Sequence, residues 1–397
     1  MAEGIGGGGG PVMANGRYFI QGEQTLTAVD AYNGAILWRI DVPNSRRLGA
    51  FLDSGSMAVD DQRLYIASGE VCRAYDVQDG RPAAGFSVPE PPADEPRHWG
   101  YVAYRGDILF GSATKREASY QQTSRAADDA LWYRNMKLVT SDYLFAHDKR
   151  HGALLWTYRD GIILNTTIAL GAGCIYFVET CAPAALADRS GRMPVKTLFS
   201  GGDQYLTALD QQTGKPVFRK KLDVSHFEEP VYLNFGQGVL LLSGSRMIDK
   251  SIWYYYDAFD ARDGAELWHA GHNSELAIDG GHGEYNRCPT LVGAVAYAWP
   301  YAYDLRTGRQ IDGWKFDRRG HGCGGVTASA QCLFWRGGNP WMYDLGPDGG
   351  PQRLNKVTRP GCWLNIIPAG GLVLVPESSS GCTCSFPLQT SMAFVPE

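Results

Sequence analysis

One short pattern recurs along this chain and limits what it can fold into. An apolar, aromatic-rich stretch ends in Asp, Gly follows four positions later, and a second apolar stretch often closes on Trp. The copies are LTAVDAYNGAILW (26–38), CRAYDVQDGRPAAGF (72–86), LFAHDKRHGALLW (144–156), LTALDQQTGKPVF (206–218), DAFDARDGAELW (257–268) and YAYDLRTGRQIDGW (301–314), with a degenerate WMYDLGPDGG at 341–350. Such a segment is a hairpin: Asp bonds its own backbone, and Gly supplies the positive φ of the turn. The Asp positions are 30, 76, 148, 210, 260, 304 and 344, separated by 46, 72, 62, 50, 44 and 40 residues. A period of roughly 40–45 is one four-stranded propeller blade, and the longer gaps imply inserted loops.

Further strand patterns lie upstream of the hairpins, such as GSMAVDDQRLYIASG (55–69) and TTIALGAGCIYFVE (166–179). A last unit, WLNIIPAGGLVLVPE (363–377) with SMAFVP (391–396), would close a ring. The expected fold is therefore all-β, a single eight-bladed β-propeller of four-stranded antiparallel blades, with seven blades as the alternative. Residues 1–10, with five consecutive Gly, read as a flexible tail or tag scar; residues 11–397 read as the propeller, with insertions at 112–142 and 180–204. The 49 Gly and the 12% aromatic content suit many short strands joined by tight turns.

The hairpins LTAVDAYNGAILW and LTALDQQTGKPVF resemble the repeat of pyrroloquinoline-quinone-type β-propellers, over about residues 17–350. The C-terminal part, TRPGCWLNIIPAGGLVLVPESSSGCTCSFPLQTS, is similar to quinoprotein-like propellers of planctomycete-type bacteria, which brings no established activity. The resemblance implies a fold. For the quinone it implies an adjacent Cys-Cys pair and a calcium site, and this sequence has no Cys-Cys, so the quinone is not expected here. No Cys-x-x-Cys-His haem motif is present either.

Charge excludes one class of partner. Lys plus Arg number 37 against 42 Asp plus Glu, a net charge of −5, so the basic excess of a nucleic-acid binder is missing. No apolar run approaches the roughly 20 residues of a membrane span, and the N-terminus has no signal-peptide pattern. The expected location, periplasmic or extracellular, goes with reading some of the nine Cys as disulfides of an exported protein.

Propeller loops sort by face. The insertions 112–142, 180–204 and 244–252, and the inter-blade segments 89–99, 222–229, 269–288, 315–323 and 356–362, all emerge opposite the Asp–x–x–x–Gly turns. Long loops on a rigid scaffold carry function. Of eight His, His98, His226, His272, His282 and His321 are expected on that face and His269 at its border, whereas His147 and His151 belong to the hairpin side. The runs DGGHGEYNRC (279–288) and RRGHGCGG (318–325) set His between Gly residues, which leaves an imidazole accessible; plugging of the channel by these loops is the plain alternative. Segment 125–135 reads as a short helix within a flap or lid. Cys323, Cys362, Cys382 and Cys384 admit disulfides or, with His321, a soft metal site, while Cys72, Cys174 and Cys332 read as buried apolar residues.

Three functions remain open on this reading. The leading expectation is a carbohydrate-active enzyme, a lyase cleaving an acidic, uronate-containing polysaccharide by β-elimination. That chemistry needs a base, an acid and a partner for the carboxylate. His282 or His321 would be base, Tyr285 acid, and Arg287 or Arg318 the carboxylate partner. Trp99, Trp132, Tyr133, Arg319 and Arg359 would bind the polymer, and His226, His272 and His282 could hold a divalent metal. The alternatives are a non-catalytic binding or scaffold propeller and a metal-dependent hydrolase or oxidase.

Overall fold

The structure is a computed structural model and describes residues 10–22, 24–45, 47, 55–90, 95–119, 135–277, 285–316, 324–361, 365–376 and 390–395. Its strands are antiparallel throughout, and its sheets follow one another in chain order. Four-stranded sheets occupy Val12–Asp41, Met57–Ser87, Tyr232–Ala277 and Thr327–Arg353; three-stranded ones occupy Thr290–Asp304 and Ile367–Phe394. The segment Arg97–Leu222 forms a single ten-stranded sheet that contains two of the Asp-turn hairpins. The two are joined where Thr140 and Ser141 pair with Leu164 and Ile163. Eight successive units result, consistent with eight blades. The last meets the first: Tyr18 and Ala31 pack on Leu372 and Leu374, and the Tyr32 hydroxyl donates to the Gly370 carbonyl at 3.3 Å.

Each hairpin is built as its residues dictate. At Asp210 the carboxylate accepts from the N–H groups of Gln212 and Thr213 and from the Thr213 hydroxyl, at 3.1, 2.8 and 2.8 Å. The Gly214 N–H returns to the Asp210 carbonyl at 2.8 Å, with φ at +67°. Asp30, Asp76, Asp148, Asp260 and Asp304 close their turns through the same backbone bond to the following Gly. These shared bonds satisfy the backbone groups that a tight turn would otherwise leave unpaired.

Blades are then locked edgewise by the closing aromatic. Trp38, Trp156 and Trp268 donate their indole N–H to Val77, Gln211 and Leu305 carbonyls in the next hairpin, at 3.2, 3.0 and 3.0 Å. Their rings cover Gly80, Gly214 and Gly308, where a Cβ would lie 2.9, 2.5 and 2.5 Å from indole carbons. Gly is thus required twice over, by the turn and by the ring lying on it.

Several segments expected to be loops extend strands instead. The stretch 244–252 continues a long hairpin, Val239–Ile248 with Ser251–Asp260, turning at Asp249 and Lys250, both with positive φ. His98 lies in the strand Arg97–Arg105 and His272 in Glu266–Ala277 rather than in loops. The insertions meet each other: Lys137–Val139 pair with Arg192–Pro194, beside the short helices Pro183–Ala187 and Val195–Leu198. The expected helix at 125–135 falls almost wholly outside the described residues, as do Cys323, Cys362, Cys382 and Cys384. Cys72 is buried as expected, whereas Cys174 and Cys332 are only partly so, and all three are unpaired.

Candidate functional site

Two described histidines meet on one buried carboxylate, Asp257. Asp257 lies three residues before the turn Asp260, on the strand Ser251–Asp260, and pairs directly with His269 on Glu266–Ala277. Its Oδ1 is 2.5 Å from His269 Nδ1, and its Oδ2 is 2.9 Å from His226 Nε2. His226 comes from the connection between the strands Pro216–Leu222 and Tyr232–Gly236. Local bonds fix that connection. Asp223 accepts from the Ser225 N–H at 2.9 Å, and the Glu228 and Glu229 N–H groups converge on the Ser245 carbonyl at 3.1 and 3.0 Å. The neighbouring Phe227 is buried in the core and anchors the segment.

The two imidazoles stand perpendicular, their centroids 5.2 Å apart. Tyr255 presents an edge to His226 at 5.3 Å and stacks on His269 at 6.2 Å, with Trp253 stacked beyond it at 6.4 Å. Asp257 is buried, His226 is mostly buried, and the His269 side chain is 50% exposed. The three residues bring one ligand atom each to within 4.8 Å of one another, which is within reach of a single metal ion.

Other expected site residues lie elsewhere. Of the described members of the expected metal set, His226 joins this cluster and His272 does not. His272 turns into the core, its Nδ1 at 2.9 Å from the Tyr303 hydroxyl and its Nε2 at 3.1 Å from the Trp299 carbonyl. Tyr285 is buried in one cluster with Tyr254 and Tyr256, so its side chain does not face a substrate. Arg287 is spread over the Trp299 ring at 3.9 Å. Arg359 is fully buried. Trp99 is core as well: its indole donates to the Tyr101 carbonyl at 2.6 Å and meets Phe145 edge-on at 4.7 Å, out of reach of a sugar. His282, His321, Arg318, Arg319, Trp132 and Tyr133 lie outside the described residues.

The sequence does not single out Asp257, and places His269 only at the border of the long-loop face, although the repeat itself holds the signal. In the first four copies the residue three before Asp pairs with the one five after Gly, as at Thr27 with Arg39, Phe145 with Thr157 and Thr207 with Arg219. The same spacing pairs Asp257 with His269.

A separate cavity of about 500 Å³ lies among the first strands of three consecutive sheets, lined by Asn234, Asn286, Cys288, Thr290, Thr327 and Asn365 among others. Its walls mix these neutral hydrogen-bonding groups with apolar side chains such as Phe235, Leu291 and Val326. The Cys288 thiol accepts from the Asn234 amide at 3.2 Å, and burial pushes its pKa up to about 11.

These features define a β-propeller with quinoprotein-type repeats. The chain belongs to the family described as outer membrane protein assembly factor BamB, whose model matches residues 1–94 and 140–312, more than half of its length. The crystal structure of BamB from Moraxella catarrhalis is similar at 13% identity and TM-score 0.52, covering 94% of this chain and 91% of that one. The quinohemoprotein alcohol dehydrogenase from Comamonas testosteroni is similar at 12% identity and TM-score 0.55, covering 93% and 70%. The computationally designed protein Ika8 gives 11% identity and TM-score 0.52, covering 93% of each. At these identities the likeness is one of fold. No curated protein matches the chain.

Proposed function

We propose that this chain is a binding propeller that holds extended polypeptide along its outer strands, in line with the assembly-factor description of its family. One observation carries this reading. Large exposed apolar side chains concentrate just after the Asp turns, on strands that end their sheets: Ile36 (68% exposed) and Leu37, Leu154 and Leu155, and Val217. A terminal strand offers unpaired N–H and C=O groups, and apolar side chains beside them add affinity for a partner strand. The family name points the same way, towards protein partners.

Elimination of an acidic polysaccharide has weaker support among the described residues, because Tyr285, Arg359 and Trp99 are buried. A periplasmic or outer-membrane-associated location fits the family name and goes with the binding reading.

The test is fluorescence anisotropy with a labelled peptide of alternating apolar and polar residues, in the pattern of an outer-membrane β-strand. The native chain should bind it, and Leu154→Lys with Leu155→Lys should weaken binding about tenfold or more, since burying one Leu is worth roughly 1.5–3 kcal/mol. Absence of binding overturns the proposal. So does an unsaturated product, read by ultraviolet absorbance, from any of a panel of uronate polysaccharides.

A further inference from the structure

We infer that His226, Asp257 and His269 form a binding site for one divalent late transition-metal ion of the zinc class. The site goes beyond the peptide-binding reading and does not depend on it.

Asp257 is buried, and its hydrogen-bond partners among the described residues are the two imidazoles. A buried carboxylate needs compensation for its lost hydration. Hydrogen bonds from the imidazoles offset part of that loss, and a divalent cation would supply both ligation and charge.

The donor set then selects the ion. Two imidazole nitrogens and one carboxylate oxygen suit zinc, cobalt, nickel or iron(II); calcium and magnesium prefer all-oxygen shells. Zinc takes such ligands at roughly 2.0–2.2 Å in a tetrahedron, so ligand atoms around it sit about 3.3 Å apart. Here His226 Nε2 lies 2.9 Å from one carboxylate oxygen and His269 Nδ1 2.5 Å from the other, and one ligand atom from each residue lies within 4.8 Å of the others. A small outward shift of His269, the most exposed of the three, opens the cradle to that spacing. For binding, each imidazole turns a lone pair inward by carrying its proton on the outer nitrogen.

The frame is firm where it must be. Asp257 and His269 are directly paired across two strands, and His226 is held by the Ser245-anchored turn and by buried Phe227. Three protein ligands leave a fourth position on the ion, and the half-exposed His269 marks the side from which an outside ligand would reach it.

The experiment uses the full chain, stripped with chelator and then titrated with Zn²⁺ by calorimetry and with Co²⁺ by visible absorption. The expected result is one ion per chain, with a cobalt spectrum free of thiolate charge transfer. His226→Ala and His269→Ala should each cost more than the roughly 10- to 100-fold produced by removing an outer-shell partner. Asp257→Asn keeps the shape of the side chain and should weaken the ion similarly. Circular dichroism verifies that each variant folds. Failure of the native chain to take up either ion overturns the inference. So does equal uptake by the double His variant, or a cobalt–thiolate band, which would assign the ion to cysteines.

Discussion

The indole N–H of Trp156 donates to the backbone carbonyl of Gln211 at 3.0 Å, across the boundary between two hairpin units. The same ring lies on Gly214, where a Cβ would come within 2.5 Å of it. One side chain thus ties the outer strand of one unit to the turn of the next. Trp156→Ala should cost about 3–5 kcal/mol of stability, the range for deleting a buried aromatic. Trp156→Phe keeps most of the ring and should cost less, including about 1 kcal/mol for the lost hydrogen bond. Gly214→Ala should also destabilise, because it forces both a positive φ and a steric overlap. Urea unfolding distinguishes the three, and an undiminished midpoint for Gly214→Ala would contradict the account.

The Asp–x–x–x–Gly repeat made most of this fold legible, because one turn fixes one hairpin and its register. Strand ends were harder to read. Polar positions such as His98 and His272 resembled loop residues, yet cross-strand pairing and buried partners keep them in strands. The site was only partly visible. His226 is legible as a metal-ligand candidate, though with His272 and His282 as its expected companions; Asp257 sits inside an apolar-looking strand, and only pairing brings His269 opposite it. Tyr285 and Arg359 sat in Gly- and Pro-rich surroundings that suggest exposure, and long-range packing buries them.

Turn carboxylates should govern acid sensitivity. The Thr213 hydroxyl, with backbone N–H groups, holds Asp210 below the usual carboxylate range, and the Thr307 hydroxyl and its N–H do the same for Asp304. At Asp260 the Arg262 guanidinium acts first, with Arg306 adding to it. A carboxyl group whose pKa is lowered by folding stabilises the native state above its unfolded value, near 3.8–3.9. That stabilisation fades as pH falls through the folded value. Unfolding should therefore steepen below about pH 4, and Asp210→Asn should flatten part of the decline, as followed by circular dichroism.

A fully buried carboxylate makes a different prediction. Glu179 Oε1 accepts from the Tyr158 hydroxyl, the Thr207 hydroxyl and Arg219 Nε at 2.9, 2.7 and 2.7 Å. Arg219 also lies on the Tyr205 ring, 3.4 Å from its centroid. Removing one partner of a buried pair strands a charge, so Arg219→Ala should cost about 3–5 kcal/mol. Adding Glu179→Gln removes that charge and should recover part of the loss. If the double variant in a denaturant melt is as unstable as the two single losses summed, the pair is not coupled.

His147 sets a window nearer neutrality. Its Nδ1 lies 3.2 Å from the Gly152 carbonyl and its Nε2 3.1 Å from the Ser87 carbonyl, with Trp99 stacked on the ring at 5.8 Å. Burial lowers its pKa, and the two carbonyls only partly oppose the shift. His98, bonded to the Ser119 hydroxyl at 3.0 Å, is lowered too, first by burial and then by Arg116. When folding lowers an imidazole's pKa, the unfolded chain binds more protons between the two values. Stability is then full above roughly pH 6.5 and declines as pH falls through the folded values. Proton NMR should show both rings titrating at lower pH than an imidazole free in water. His147→Gln should flatten the slope of stability below about pH 6.5, and an unchanged slope would place the titrating group elsewhere.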